Sequence, residues 1–235
     1  MTRPPLSRRT LLATGGAAVV AVGATAAARP AVAAPAEPAP VTPAEALRRL
    51  LRGNHRFVTG HSRHPHQSLA DLHELAAGQH PFAVTIGCAD SRVAPELLLD
   101  QGLGDLFDNR VAGNIVDDLL LGSVEFAVEE FGSPLIVVLG HERCGAISAT
   151  IDAIRGGGTA PGHIGTIVAS LRPVVEPVLH LPGDPVENAV RANVRAQVRS
   201  LLARSPIIAE KVHEGALRVV GARYDLDTGR VTQLD

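Results

Sequence analysis

Only two cysteines occur in the chain, and each sits in a short run of residues able to do chemistry. Cys88 lies in GCADSRV, residues 87–93, followed by Asp90 and Arg92. Cys144 lies in LGHERCGA, residues 139–146, three positions after His141. Thiolate and imidazole are ligands that zinc favours, and three protein donors with one open position mark a catalytic zinc site. Spacing alone serves a Cys88–Cys144 disulfide equally well, above all in an oxidising compartment. The neighbours favour metal, because His141, Asp90 and Arg92 have no role in a disulfide. His141 also admits the plainer reading of a hydrogen-bonded core histidine. A Cys144–His141 nucleophile pair fits worst: residues three apart on a helix rarely line up for proton transfer, and no third, orienting residue is evident.

Asp90 and Arg92 are close enough for a carboxylate–guanidinium pair across a tight turn. The bland alternatives are an ordinary ion pair or an Asp that caps the following turn. Beside a metal the same pair becomes a switch, with Asp90 either ligating the ion or turning to Arg92 and leaving the position to water. His141 and Cys144 read as the start of a helix, which puts both on one face. Helix N-terminal amides would then favour the Cys144 thiolate.

Four apolar runs could position these residues: FAVTIG (82–87), LFDNRVA (106–112), LIVVLG (135–140) and ALRVVGARYD (216–225). The first and third are continuous and end in Gly, as expected of strands buried on both faces of a parallel sheet. Helical patterns at 115–131, 144–155 and 185–203 separate them, and DLDTGRVT reads as a turn into a short last strand. The alternation predicts an α/β fold, a single domain with a central, mostly parallel β-sheet flanked by helices. Cys88 and His141 then fall just past strand carboxyl ends, where such sheets open their functional crevice.

An N-terminal helical arm is predicted from Thr42 as N-cap, Pro43 in the first helical position and Glu45 three residues after the cap. Ala46, Leu47, Leu50 and Leu51 would share its apolar face. A polar loop, HSRHPHQSLADLH, leads into a short helix. His55, His61, His64, His66, His73 and His80 crowd this region. They could relay protons or bind metal weakly, but a solvated His-rich loop explains them as well. RGGGTAPGHIG (155–165) lacks the Gly-Lys-Ser/Thr ending of a phosphate loop and follows a helix, so it reads as a plain loop.

At 46% hydrophobic and 3% aromatic, the core must be built from Val, Leu, Ile and Ala. Net charge is −2, and residues 1–33 hold four arginines and no acid, so the body beyond them is more acidic than the whole. With no basic run there, nucleic acid and anionic membrane are poor partners and a small substrate is expected. Arg8 and Arg9 precede an apolar stretch, Leu11–Ala28, and Ala31-Val32-Ala33 offers a cleavage site. Residues 1–33 therefore read as a twin-arginine signal peptide, with a retained anchor as the alternative. The expected location is outside the cytoplasm (periplasm, cell wall or medium), without stable membrane association once the signal is cut. Residues 34–43 form a Pro/Ala-rich linker, and the catalytic domain is expected over 44–235.

Cys88-Ala-Asp90-Ser-Arg92 and His141-Glu-Arg-Cys144 together resemble the signature of the β-class carbonic anhydrases. DQGLGDLFDNRVAGN, GSVEFAV, LIVVLGHERCGAI and ENAVRANVRAQVRSLL extend the likeness over roughly residues 44–235. The resemblance implies reversible hydration of CO2 to bicarbonate and a proton, by hydroxide on one zinc per subunit. It implies Cys88, His141 and Cys144 as ligands and Asp90–Arg92 as the gating dyad, with Asp90 an alternative fourth ligand. Gln79 would reach bound substrate, usually across a dimer interface, and Phe107, Ala112 and Phe126 would line an apolar CO2 pocket, though ordinary core explains those three also. Two thiolates cancel the charge of the dication, so higher activity is expected on the alkaline side. A homodimer or homotetramer is implied, with the first helix over the neighbouring subunit. Val111 departs from the family's usual Asn, and Thr85 stands where the bicarbonate-inhibited members carry Trp, which leaves Tyr224 a structural role. The rival reading is an exported metal-binding or disulfide-stabilised protein without catalysis. Asp90, Arg92 and Gln79 argue against it, since metal binding alone does not need them.

Overall fold

The computed structural model describes residues 41–235; the expected signal, 1–33, and the expected linker up to residue 40 lie outside them. Five strands form one sheet in the order β2-β1-β3-β4-β5: β1 is Ala83–Gly87, β2 Leu106–Arg110, β3 Leu135–His141, β4 Arg218–Tyr224 and β5 Val231–Leu234. The first four pair in parallel, and β5 runs antiparallel beside β4. Every residue of β1 and β3 is buried, which is why both read as unbroken apolar runs. The fold class expected from the sequence is the one observed.

Eight helices are described: α1 Pro43–Val58, α2 Leu69–Leu75, α3 Pro95–Leu98, α4 Asp118–Phe131, α5 Gly145–Arg155, α6 Ile164–Val175, α7 Pro185–Arg204 and α8 Pro206–His213. Thr42 caps α1 as expected, its Oγ1 accepting from the Glu45 amide at 3.2 Å. Ala46 and Leu50 then bury against the sheet face made by Val137, Leu139, Val220 and Ala222. The apolar stripe is narrower than expected, since Leu51 is 36% exposed. Gly53 lets α1 come close, because a Cβ there would lie 1.7 Å from the Leu99 carbonyl oxygen. Asn54 adds a polar clasp: its Nδ2 donates to the Leu98 and Gly229 carbonyls at 2.9 and 2.8 Å, and its Oδ1 accepts from the Val231 amide. The inner face of α1 is thus docked on its own chain.

The opposite sheet face, with Val84, Ile86, Ile136 and Val138, is covered by α4, α7 and α8 through Val124, Ala127, Val194, Leu201 and Ile208. Each such Val, Leu or Ile side chain taken fully out of water contributes about 1.5–3 kcal/mol. α7 lies so near the sheet that a Cβ on Gly140 or Gly221 would come within 2.5 or 2.7 Å of a Val194 methyl.

Three helices fall where no pattern was read: α3, α6 and α8. α6 has no side-chain cap and carries Pro173, which hides its Val168, Leu171, Val175 repeat. β2 is two residues shorter than predicted. Beyond Arg110 the chain leaves the sheet and enters a 3-10 turn, Ala112–Asn114, through left-handed Gly113 and Asn114. No helix among the described residues is long and apolar enough to cross a membrane.

Candidate metal centre

β1 delivers Cys88 and β3 delivers His141 to the same carboxyl edge of the sheet, because Gly87 and Leu139 are register partners on neighbouring strands. Cys144 follows as the N-cap of α5. All three are buried, and one donor atom from each lies within 4.8 Å of the others. Both cysteines are free thiols.

The helical face expected for His141 and Cys144 is not how they meet. His141 is the last residue of β3, paired in register with Tyr224, and α5 begins only at Gly145. Between them Glu142 and left-handed Arg143 turn the chain back on itself, and this reversal aims both side chains inward. The strand simply runs one residue further than its apolar run suggested, because β4 continues beside it.

His141 Nδ1 lies 2.9 Å from the Glu142 carbonyl oxygen. A carbonyl only accepts, so Nδ1 carries the proton and Nε2 presents a lone pair. That Nε2 is fully buried and has no hydrogen-bond partner. A buried polar atom without a partner costs roughly 1–3 kcal/mol, so its place beside two thiols needs a reason. A soft divalent cation provides one, and the Cys-His-Cys donor set fits zinc.

The sulfur of Cys88 accepts the Gly113 amide at 3.5 Å. Between the two thiols Cys88 ionises first: Cys144 donates to it, the amides of Gly113 and Asp90 also support the thiolate, and burial opposes them. Cys144 is pushed up by its bond to Cys88 and by burial. The amides of Ala146 and Ile147 do favour its thiolate, as expected of a helix N-terminus, but are outweighed.

Asp90 and Arg92 form a two-pronged pair, Nε to Oδ1 at 2.9 Å and a terminal nitrogen to Oδ2 at 2.8 Å, with the Arg92 amide also on Oδ1. The Arg92 guanidinium holds the Asp90 carboxyl well below the usual carboxylate range. Asp90 Oδ2 is also 3.9 Å from His141 Nε2, so the carboxylate borders the centre while pointing at Arg92. Arg110 was missed from sequence. Its guanidinium donates to the carbonyls of Cys88 and Asp90, at 3.0 and 2.6 Å, and so ties the two segments together. The only available signal was its position just ahead of the VAGN turn.

The remaining expected residues are not gathered at this point. Ala112 is half-buried and precedes Gly113, next to the Cys88 sulfur. Phe107 pairs in register with Val84, well back along the strand from Cys88. It packs with Phe126 and with Phe131, which sequence reading did not single out, at centroid distances of 6.4 and 5.8 Å. Phe126 is 52% exposed. Gln79 is exposed and precedes the amino end of β1, whereas Cys88 follows its carboxyl end, about 16 Å of strand away at 3.3 Å per residue.

Thr85 is buried and donates its hydroxyl to Asp108, whose carboxyl is pushed up to about 6 by burial. Tyr224 is a buried strand residue whose carbonyl accepts the Glu142 amide at 2.9 Å. Of the six crowded histidines, His66 binds Asp105 at 3.0 Å. Among the described residues the other convergence of metal-capable groups is Glu142, Asp225 and Asp227, which Arg143 and Arg223 already neutralise.

A family model described as carbonic anhydrase matches residues 83–231. "Carbonic anhydrase 2" of Mycobacterium tuberculosis is 44% identical over 190 residues, covering 81% of this chain and 92% of that protein. A carbonic anhydrase of Mycolicibacterium smegmatis is 42% identical over 179 residues, covering 76% and 87%. Among solved structures, a tetrameric β-carbonic anhydrase of the ascomycete Sordaria macrospora matches with a TM-score of 0.64 at 28% identity, over 80% of this chain and 96% of that one. The chain belongs to the carbonic anhydrase family. Its sheet and flanking helices are those of the β-carbonic anhydrases, and it is an enzyme of that family.

Proposed function

We propose that this chain hydrates carbon dioxide reversibly to bicarbonate and a proton as a zinc enzyme, with Cys88, His141 and Cys144 holding the metal and Asp90–Arg92 gating its fourth position. The observation that carries this is the buried, partnerless Nε2 of His141 beside two free thiols. Bound there, zinc would supply an acidified water as the nucleophile for CO2, less acidic than at a site of neutral ligands because two thiolates cancel the ion's charge. The chain's own groups do the rest. The Glu142 carbonyl fixes the His141 tautomer, and the Gly113 amide orients the Cys88 sulfur. Arg92 keeps Asp90 ionised and turned aside, so that its carboxylate leaves the fourth position free and offers an acceptor at its border.

We assign Phe107, Ala112 and Phe126 to an apolar wall that receives CO2; Ala112 adjoins the chain's own centre, whereas Phe107, Phe126 and Gln79 lie away from it and are assigned to the substrate of a neighbouring subunit. Gln79 sits at the wrong end of β1 to serve its own centre, which, with the tetrameric Sordaria relatives, supports a homodimer or homotetramer. The twin arginine and the apolar run after it support export. A metal-binding role without catalysis has no need of the two-pronged Asp90–Arg92 pair. Stopped-flow CO2 hydration at mildly alkaline pH, on protein from residue 34 onward before and after zinc removal, tests the reading. A fast rate lost with zinc and regained on its return is expected; no rate above buffer from zinc-loaded protein sinks it.

A further inference from the structure

The Gly113 amide reaches the Cys88 sulfur from a tight turn that α7 braces from behind. Gly113 and Asn114 are both left-handed, with φ of 77° and 43°. The second carries a Cβ, which enters that region less freely than glycine, although asparagine tolerates it better than most residues. The turn's own closure is a single bond, Asn114 amide to Val111 carbonyl at 2.9 Å.

α7 supplies the rest. Asn193, 1% exposed, donates its Nδ2 to the Gly113 carbonyl at 2.9 Å and to Asn114 Oδ1 at 3.2 Å. Its Oδ1 accepts from Gln197 Nε2 at 2.9 Å, and Gln197 Oε1 accepts from the Val116 amide at 2.9 Å. Two side chains one helical turn apart thus grip residues 113–116 at both ends in a closed buried network. Its one loose end is Asn114 Nδ2, which is buried without a partner.

We infer that Asn193 is a positioning residue for the metal centre, acting through the Gly113 amide on the Cys88 sulfur, with Gln197 as its brace. This rests on the reading of Cys88 as a metal ligand. Nothing else in the mechanism calls for an amide side chain at that place on α7; a buried apolar residue would pack the helix as well. An N–H donated to a thiolate draws charge from the sulfur and fixes its lone pairs, and such outer contacts commonly change metal affinity by 10–100-fold when removed.

The test uses the full enzyme with cobalt(II) in place of zinc and reads the thiolate-to-cobalt charge-transfer band, alongside zinc loss to a competing chelator. Asn193→Ala should move the band to longer wavelength, since the sulfur becomes more electron-rich, and weaken zinc retention roughly tenfold. Gln197→Met, which keeps volume and is the second variant to use should Asn193→Ala not fold, should do the same to a smaller degree. Leu201→Ala, a buried change on the same helix outside the network, is the comparison: it should lower the melting temperature and leave the band unmoved. The inference is overturned if Asn193→Ala and Gln197→Met only lower the melting temperature as Leu201→Ala does. Failure of the parent itself to take up cobalt with thiolate bands would overturn the zinc reading, and the inference with it.

Discussion

Arg92 grips Asp90 with two parallel hydrogen bonds while the same carboxylate stands 3.9 Å from the partnerless nitrogen of His141. A single side chain therefore borders both the guanidinium and the Cys88–His141–Cys144 cluster, and on the proposed reading which of the two holds it decides whether the metal's fourth position is open.

Breaking that choice should separate binding from turnover. Asp90→Asn keeps the shape and loses the charge, so it should retain one zinc per chain and lose about 100-fold or more in CO2 hydration. Arg92→Ala should release Asp90 toward His141. A crystal structure of its zinc form should then show a carboxylate oxygen in the fourth position, with hydration lost. Full activity in Asp90→Asn would remove the dyad from the mechanism.

The cysteines offer a second check. Denatured in chelator without reductant, the protein should yield two reactive thiols, and Cys88→Ser or Cys144→Ser should abolish zinc binding. A thiol count of zero would mean the pair had oxidised to a disulfide.

Asp108 predicts a pH dependence of stability that does not involve the proposed metal centre. Its folded pKa of about 6 lies above the ordinary aspartate value of 3.8, because burial disfavours the charge more than the Thr85 hydroxyl supports it. Stability is therefore full below about 4 and declines as pH rises through 6, by on the order of 3 kcal/mol at most. Asp108→Asn keeps an acceptor for Thr85 and should flatten this decline, raising the melting temperature at pH 8 but not at pH 4. Equal changes at both would reject the burial argument.

Gly53→Ala should undock α1. The added methyl would overlap the Leu99 carbonyl oxygen, a backbone atom that cannot step aside, so a loss of about 1–3 kcal/mol or more is expected from denaturant titration.

The parts of this molecule that were legible in sequence are those whose chemistry lies in residue types. Cys88, His141, Cys144, Asp90 and Arg92 stand out because few other jobs need those groups at those intervals. FAVTIG and LIVVLG announce β1 and β3 because strands covered on both faces have no polar side to show. Arg110, Gly113, Asn193 and Gln197 stayed hidden because each acts through at least one backbone group, whose position the residue types do not reveal. Asn193 meets Gly113 across 80 residues, a distance at which no local pattern survives. The turn at Arg143 was misread as helix for the same reason: what prolongs β3 to His141 is a neighbouring strand, not its own composition.

Gln79 and Cys88 flank opposite ends of one five-residue strand. Two such chains related by a two-fold axis would each hold a complete metal site, with the glutamine for that site borne by the other. Turnover per chain would then depend on how crowded the chains are, falling on dilution even with every zinc in place. Mixing a Gln79 variant with a Cys88 variant would rebuild one working centre from two dead parents.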